Sequence, residues 1–169
     1  HPAELMRLTI DDIQSEDKAI YMTKTKSGVP NLIPLNRFAW SEIQNRIANT
    51  DSSGLLFPSR VSNPKGDIYS RVSVLSNQVA DMRPHLSIEA FTPRDIRRTV
   101  KTLMGRAGIT KEMRDRIQNH AVSDVSSKHY DQYEYMPEKK AAMKTWERWL
   151  AQHVIEPELE HPKVVPITG

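Results

Sequence analysis

The stretch Phe91-Thr92-Pro93-Arg94-Asp95-Ile96-Arg97-Arg98-Thr99-Val100-Lys101 decides how the chain is read. Thr92 is a good N-cap, and Pro93 at the first helical position gives up no needed hydrogen bond, so a helix is predicted to start here. Arg94, Arg97, Arg98 and Lys101 recur at i, i+3, i+4 and i+7 and therefore share one stripe of that helix. Ile96, Val100, Leu103, Met104 and Ala107 occupy the other side and are expected in a core. Arg97 falls beside Met104, at the border, where packing can hold a guanidinium whose planar fork matches two phosphate oxygens. Taken alone, a solvated basic face with a snorkelling Arg97 explains the stripe better.

Downstream, Thr110 opens a second helix expected to end near Asn119, and Pro137 opens a last one through about His153. Ala142, Trp146, Trp149, Leu150 and His153 share a face of that last helix, suited to its own domain or to a neighbouring copy. Upstream, Ser70 caps a helix that stops near Met82, because Pro84 disfavours helical geometry at Arg83. Asn36 caps a helix through about Asn49, with Phe38, Ile43 and Ile47 available for a core. Residues 51–66, rich in Ser, Gly, Asn and Pro, read as loop. Before Asn36 the period falls to two. Ala19–Thr23 and Asn31–Leu35 flank a basic, Gly-containing tip, Lys24-Thr25-Lys26-Ser27-Gly28, as in a β-hairpin, and Leu8–Ile13 is the expected third strand. Leu5, Leu8 and Ile10 continue an apolar series with no start signal, so the chain is expected to be a fragment with a further domain upstream.

The 169 residues carry a net charge of +3 with no cysteine, which excludes a disulfide scaffold, a thiol nucleophile and a cysteine-ligated zinc site. The excess charge is local. Residues 94–130 hold nine basic and four acidic side chains, whereas residues 1–93 hold ten of each. A polyanionic partner fits that block, as does a solvated helical face. No His-Glu-x-x-His pair or carboxylate cluster has metal-ligand spacing, and no metal or other cofactor is expected.

Two more residue types bear on chemistry. His120 ends an apolar series with Met113 and Ile117, where a structural histidine is the default. Ten residues on, Tyr130 lies in Ser126-Ser127-Lys128-His129-Tyr130-Asp131-Gln132-Tyr133-Glu134-Tyr135. A tyrosine hydroxyl attacks phosphorus only when its proton is removed or cations stabilise the phenolate, and packing is the commoner use of the side chain.

The order of these features, basic hairpin tip, Arg-x-x-Arg, His and then Tyr, resembles the catalytic domain of the tyrosine recombinases, most closely the phage-type integrases of bacteriophages and genomic islands. Phe91–Thr99 is similar to the segment with the family's second catalytic arginine, matched by Arg97. Ile117-Gln118-Asn119-His120 resembles its Leu-Leu-Gly-His segment, matched at His120. His129-Tyr130-Asp131-Gln132-Tyr133 with Glu138-Lys139-Lys140-Ala141-Ala142 and Trp146 resembles the nucleophile segment and the helix after it, which points to Tyr130. Lys26-Ser27-Gly28 with Ile33-Pro34-Leu35 resembles the hairpin of the catalytic lysine, at Lys26 rather than Lys24. Pro2-Ala3-Glu4-Leu5 resembles the run after the family's first arginine, and His1 stands in that arginine's place. Arg94 stands where the family more often has histidine or lysine, and an arginine cannot act as a base near neutral pH.

The resemblance implies an α+β, mostly helical fold, with a small three-stranded antiparallel sheet at the N-terminal side packed on a helical core. Residues 1–154 are the expected catalytic domain and 155–169 a disordered tail. It implies DNA integration and recombination through a 3′-phosphotyrosyl intermediate without metal or ATP. The catalytic set is then Tyr130, Arg97, His120, Lys26, Arg94 and His1, and Arg98, Lys101, Lys24 and Lys128 are the expected further DNA contacts. It implies double-stranded DNA at attachment sites as partner, a homo-tetramer on DNA and a monomer without it, no membrane, and a bacterial, cytoplasmic, nucleoid-associated location. The alternative is a catalytically impaired recombinase fold that only binds DNA.

Overall fold

The computed structural model describes residues 2–58, 72–120 and 135–155. His1, Lys128 and Tyr130, the Ser70 cap and the tail beyond Ile155 lie outside the described residues. The chain is α+β and mostly helical. A short helix α1 (Pro2–Leu5) precedes a three-stranded antiparallel sheet, β1 (Ile13–Gln14), β2 (Ala19–Met22) and β3 (Asn31–Pro34), in the order β1-β2-β3. Helices α2 (Arg37–Ala48), α3 (Val72–Met82), α4 (Pro93–Arg106), α5 (Lys111–Ile117) and α6 (Met136–Leu150) follow, and Ala151–Ile155 extends the last as a wider π-type turn.

Local signals set most helix starts. The Asn36 side chain accepts from the Ala39 N–H at 2.9 Å, and the Thr110 hydroxyl accepts from the Met113 N–H at 3.3 Å. At Thr92 the hydroxyl and backbone N–H both donate to the Asp95 carboxylate, at 2.7 and 3.0 Å, closing the turn that Pro93 begins. α4 and α5 end in the same device. A residue with left-handed backbone, Gly108 (φ 85°) after α4 and Asn119 (φ 51°) after α5, lets the next N–H reach back to the last turn. Ile109 thus donates to the Met104 carbonyl at 3.0 Å, and His120 to the Asp115 carbonyl at 2.8 Å.

Three expectations change. The strand expected over Leu8–Ile13 shrinks to Ile13–Gln14, because Thr9 and Asp12 form a capping box around a 3₁₀ turn at Ile10–Asp12. Leu8 and Thr9 instead pair with the loop at Leu55 and Leu56, whose side chains are buried. Ile96, expected in the core, is 49% exposed; α4 enters the core from Val100 onward, with Met104 buried. Phe38 is only half-buried and lies beneath the Arg37 guanidinium, 4.6 Å from its ring centre, leaving Ile43 as the buried anchor of α2.

The core has two parts. Leu8, Ile20, Ile43 and Leu56 form one cluster between the sheet and α2. Met104, Ile109, Ile117, Ala142 and Trp146 join α4, α5 and α6 in the other. The cross-strand pair Ile20 and Ile33 links them, Ile20 belonging to the first and Ile33 packing on the second. Trp149 and Leu150 pack on the second cluster, so the apolar face of α6 is used by its own domain. Its ring stack continues outward, Trp146 on Trp149 at 5.4 Å and Trp149 on His153 at 4.6 Å.

Candidate active site

The turn Gln118-Asn119-His120 is the meeting point of elements distant in sequence. α5 stops at Ile117 and Asn119 adopts left-handed backbone, so three successive residues leave the helix pointing in different directions. The Gln118 carbonyl accepts from Arg97 Nη2 at 2.6 Å, and the Gln118 amide lies 3.5 Å from the Arg97 carbonyl. Arg97 is half-buried, its guanidinium held at the border between basic stripe and core. The Asn119 amide donates to Ser27 Oγ at 3.1 Å and to the Val29 carbonyl at 3.0 Å, which pins the hairpin tip to this turn. Glu4 of α1 accepts from the Lys26 N–H at 2.8 Å and lies within the field of Arg97. Segments starting at residues 2, 25, 93 and 118 are thereby tied together.

His120 is less a core residue than its spacing suggests. Its side chain is 45% exposed and turned onto polar partners, Lys101 Nζ at 3.1 Å and Asp115 Oδ1 at 3.3 Å from Nδ1. Lys101 also bridges to Asp115 directly, and Lys111 reaches the other carboxylate oxygen at 3.1 Å. Burial pushes the Asp115 carboxyl up, but the hydrogen bonds from Lys101 and Lys111 outweigh it and bring its pKa down to about 2. Burial lowers the His120 pKa, and the charges of Lys101 and Arg97 lower it further against the opposing pull of Asp115. The ring is therefore neutral near pH 7, with one nitrogen able to accept a proton.

The other expected residues separate. Arg94 and Arg98 are exposed on α4, Arg98 pairing with Asp95 at 3.4 Å. Lys24 and Lys26 are exposed on the hairpin. Lys101, expected among the solvent-facing contacts, is only about a quarter exposed and is turned into Asp115 and His120. Tyr135, not a candidate by its spacing, has its ring 3.6 Å from the Arg116 guanidinium, whose Nη2 also bonds Glu112 at 3.0 Å.

Lys139 and Asp115 are not among the expected site residues. Lys139 on α6 is buried, at 5% exposure, and donates to Asn31 Oδ1 and to the Leu32 carbonyl, both at 2.9 Å. The Asn31 amide donates in turn to the carbonyls of Arg116 and Ile117, at 3.3 and 3.2 Å, where the α5 helix end leaves acceptors open. One signal was available: Lys139, Ala142 and Trp146 stand at i, i+3 and i+7, so a lysine shares the apolar face. Asp115 had only the i, i+4 spacing to Lys111, since its other partners, Lys101 and His120, come from α4 and from the turn beyond its own helix.

Among the described residues, no helix is long and apolar enough to cross a membrane. A family model described as the phage integrase family matches residues 2–136, most of the chain. Among curated proteins none matches it.

Proposed function

The chain belongs to the phage integrase family, whose members bind DNA and carry out site-specific recombination, and from that premise we propose that it cleaves and rejoins DNA through a 3′-phosphotyrosyl intermediate. The observation that carries this reading is the gathering of the Arg97 guanidinium, the His120 ring and the Lys26 hairpin around the turn at residues 118–120. Arg97, His120 and the backbone of the hairpin that carries Lys26, remote in sequence, are tied to one turn, which supports their convergence on a single scissile phosphate.

In this mechanism Tyr130 Oη attacks the phosphorus and the bond to the 5′-oxygen breaks. Arg97, with Arg94 beside it on the stripe, stabilises the charge that develops on the non-bridging oxygens. His120, neutral at working pH and backed by the Asp115 carboxylate, accepts the phenolic proton. Lys26 delivers a proton to the departing 5′-oxygen. The phosphotyrosine keeps the bond energy, so rejoining needs no ATP. His1, Arg98, Lys24 and Lys128 add phosphate contacts, which set register on the duplex and leave sequence choice to base-edge contacts. Integration or excision of a mobile element by a DNA-bound tetramer, in the bacterial cytoplasm, is the matching biological role.

The test is adduct formation on nicked duplexes selected from a randomised pool for covalent capture by the wild-type chain. Tyr130→Phe abolishes the adduct and leaves binding largely intact; an adduct that survives overturns the assignment. A second reading, a recombinase fold that binds DNA without cutting it, is favoured by Arg94, which offers no base near neutral pH. It requires salt-sensitive binding with no adduct from any pool.

A further inference from the structure

The hairpin that carries Lys26 is short, exposed and basic, and nothing in its own composition fixes where the tip sits. Val29, Lys26 and Ser27 are all exposed. Gly28 turns the tip with φ 74°, and the Thr25 hydroxyl closes it internally by donating to the Val29 carbonyl at 2.7 Å. Such internal closure fixes the shape of the tip but not its placement over the strands below it. Among the described residues, two contacts from outside hold it: the Glu4 carboxylate at the Lys26 N–H, and the Asn119 side chain at Ser27 Oγ and the Val29 carbonyl. The second originates one residue from His120 and one residue from the Gln118 carbonyl that anchors Arg97.

Asn119 therefore does two separable things. Its backbone, at φ 51°, supplies the left-handed residue that ends α5 and aims His120; glycine does this at no steric cost, and asparagine is among the few other residues that tolerate it. Its amide spans to the hairpin, which a glycine cannot do. We propose that Asn119 is a positioning residue that sets the Lys26 tip against the His120–Arg97 side of the site, so that proton delivery to the leaving oxygen depends on this strut. The inference rests on the reading of Lys26 as the general acid.

Asn119→Gly separates the two roles, because it keeps the turn and removes only the strut. The full chain is assayed on two nicked duplexes of the same selected sequence, one with the ordinary phosphodiester and one with a sulfur in place of the bridging 5′-oxygen. A thiolate leaves without a proton. On the ordinary substrate N119G slows cleavage about tenfold, the scale of one to two net hydrogen bonds. On the sulfur substrate it cleaves at the wild-type rate. Lys26→Ala shows the same split with a larger loss, and the double variant is no slower than K26A alone, since a misplaced group that is already absent costs nothing more. Amide hydrogen exchange over residues 24–30 rises in N119G, an outcome that is read without any DNA.

If K26A is not rescued by sulfur, the general-acid reading falls and the proposal with it. If K26A is rescued while N119G is slowed equally on both substrates, or on neither, the proposal alone is overturned. Unchanged exchange at the hairpin in N119G also overturns it.

Discussion

Replacing Asn31 by leucine is the most informative single perturbation of the fold. Asn31 is 6% exposed and joins three elements: it accepts from the buried Lys139 ammonium of α6 and donates to two carbonyls at the end of α5. Leucine is close in size, so packing changes little and the polar consequences dominate. The Lys139 charge loses one of its oxygen partners at a site with 5% exposure, and the Arg116 and Ile117 carbonyls lose their amide donor. Losing one oxygen that holds a buried charge costs about 1.5–3 kcal/mol, more than an ordinary hydrogen bond at about 1 kcal/mol. Lys139→Met removes the charge together with its desolvation cost, leaving unsatisfied oxygens at about 1–3 kcal/mol. The double variant should therefore be more stable than the two single losses sum to, by about 1–2 kcal/mol, because the Asn31–Lys139 hydrogen bond can be lost only once. Urea unfolding of the four proteins, with m-values compared, reads this directly. Strict additivity, or a loss below about 1 kcal/mol for N31L, would refute the claim that Lys139 is a buried charge held by Asn31.

Arg97→Ala should reduce cleavage far more than DNA affinity, measured by adduct rate against binding at the same salt; equal losses would make Arg97 an ordinary phosphate contact. The depressed Asp115 pKa means that its contribution to stability is complete above its unfolded value near 3.8 and is lost as pH falls toward about 2. Solvent screening limits that contribution to about 1 kcal/mol, and acid unfolding of Asp115→Asn should lack it. His120, also depressed, destabilises the fold as pH falls below about 6.5, where the unfolded chain takes up the proton first; Asp115→Asn should move its titration, followed by NMR, lower still. A Cβ at Gly105 would lie 2.9 Å from Arg114 Nη1, which donates to the Lys101 carbonyl at 2.8 Å. Gly105→Ala should therefore destabilise the wild type in thermal unfolding, yet stabilise the Arg114→Ala background by about 0.5–1 kcal/mol, the helix preference of alanine over glycine.

Local chemistry made the helical scaffold legible. Thr92-Pro93, Thr110 and Asn36 start helices because the capping oxygen and the orphan N–H groups belong to neighbouring residues, and the 3.6-residue spacing carried Met104, Ile117, Ala142 and Trp146 into the core. The hairpin was equally readable, since alternation and a glycine tip are local facts. The strand expected at Leu8–Ile13 is shorter because an apolar series does not reveal a Thr9–Asp12 box or a partner 46 residues away in the loop.

The sequence by itself determined the family, and through that resemblance the candidates for a phosphate-transfer site, because the order of basic tip, arginine pair, histidine and tyrosine is written along the chain. Only the tertiary structure decided how the described ones are held. Lys101 is paired with Asp115 and His120, the Asn119 amide is bonded to the hairpin tip, and Lys139 is a buried bridge. Each of these depends on the distance between groups 14 to 108 residues apart. Residue order carries no record of such distances until packing brings the elements together and burial makes an unpaired polar group too costly to leave alone.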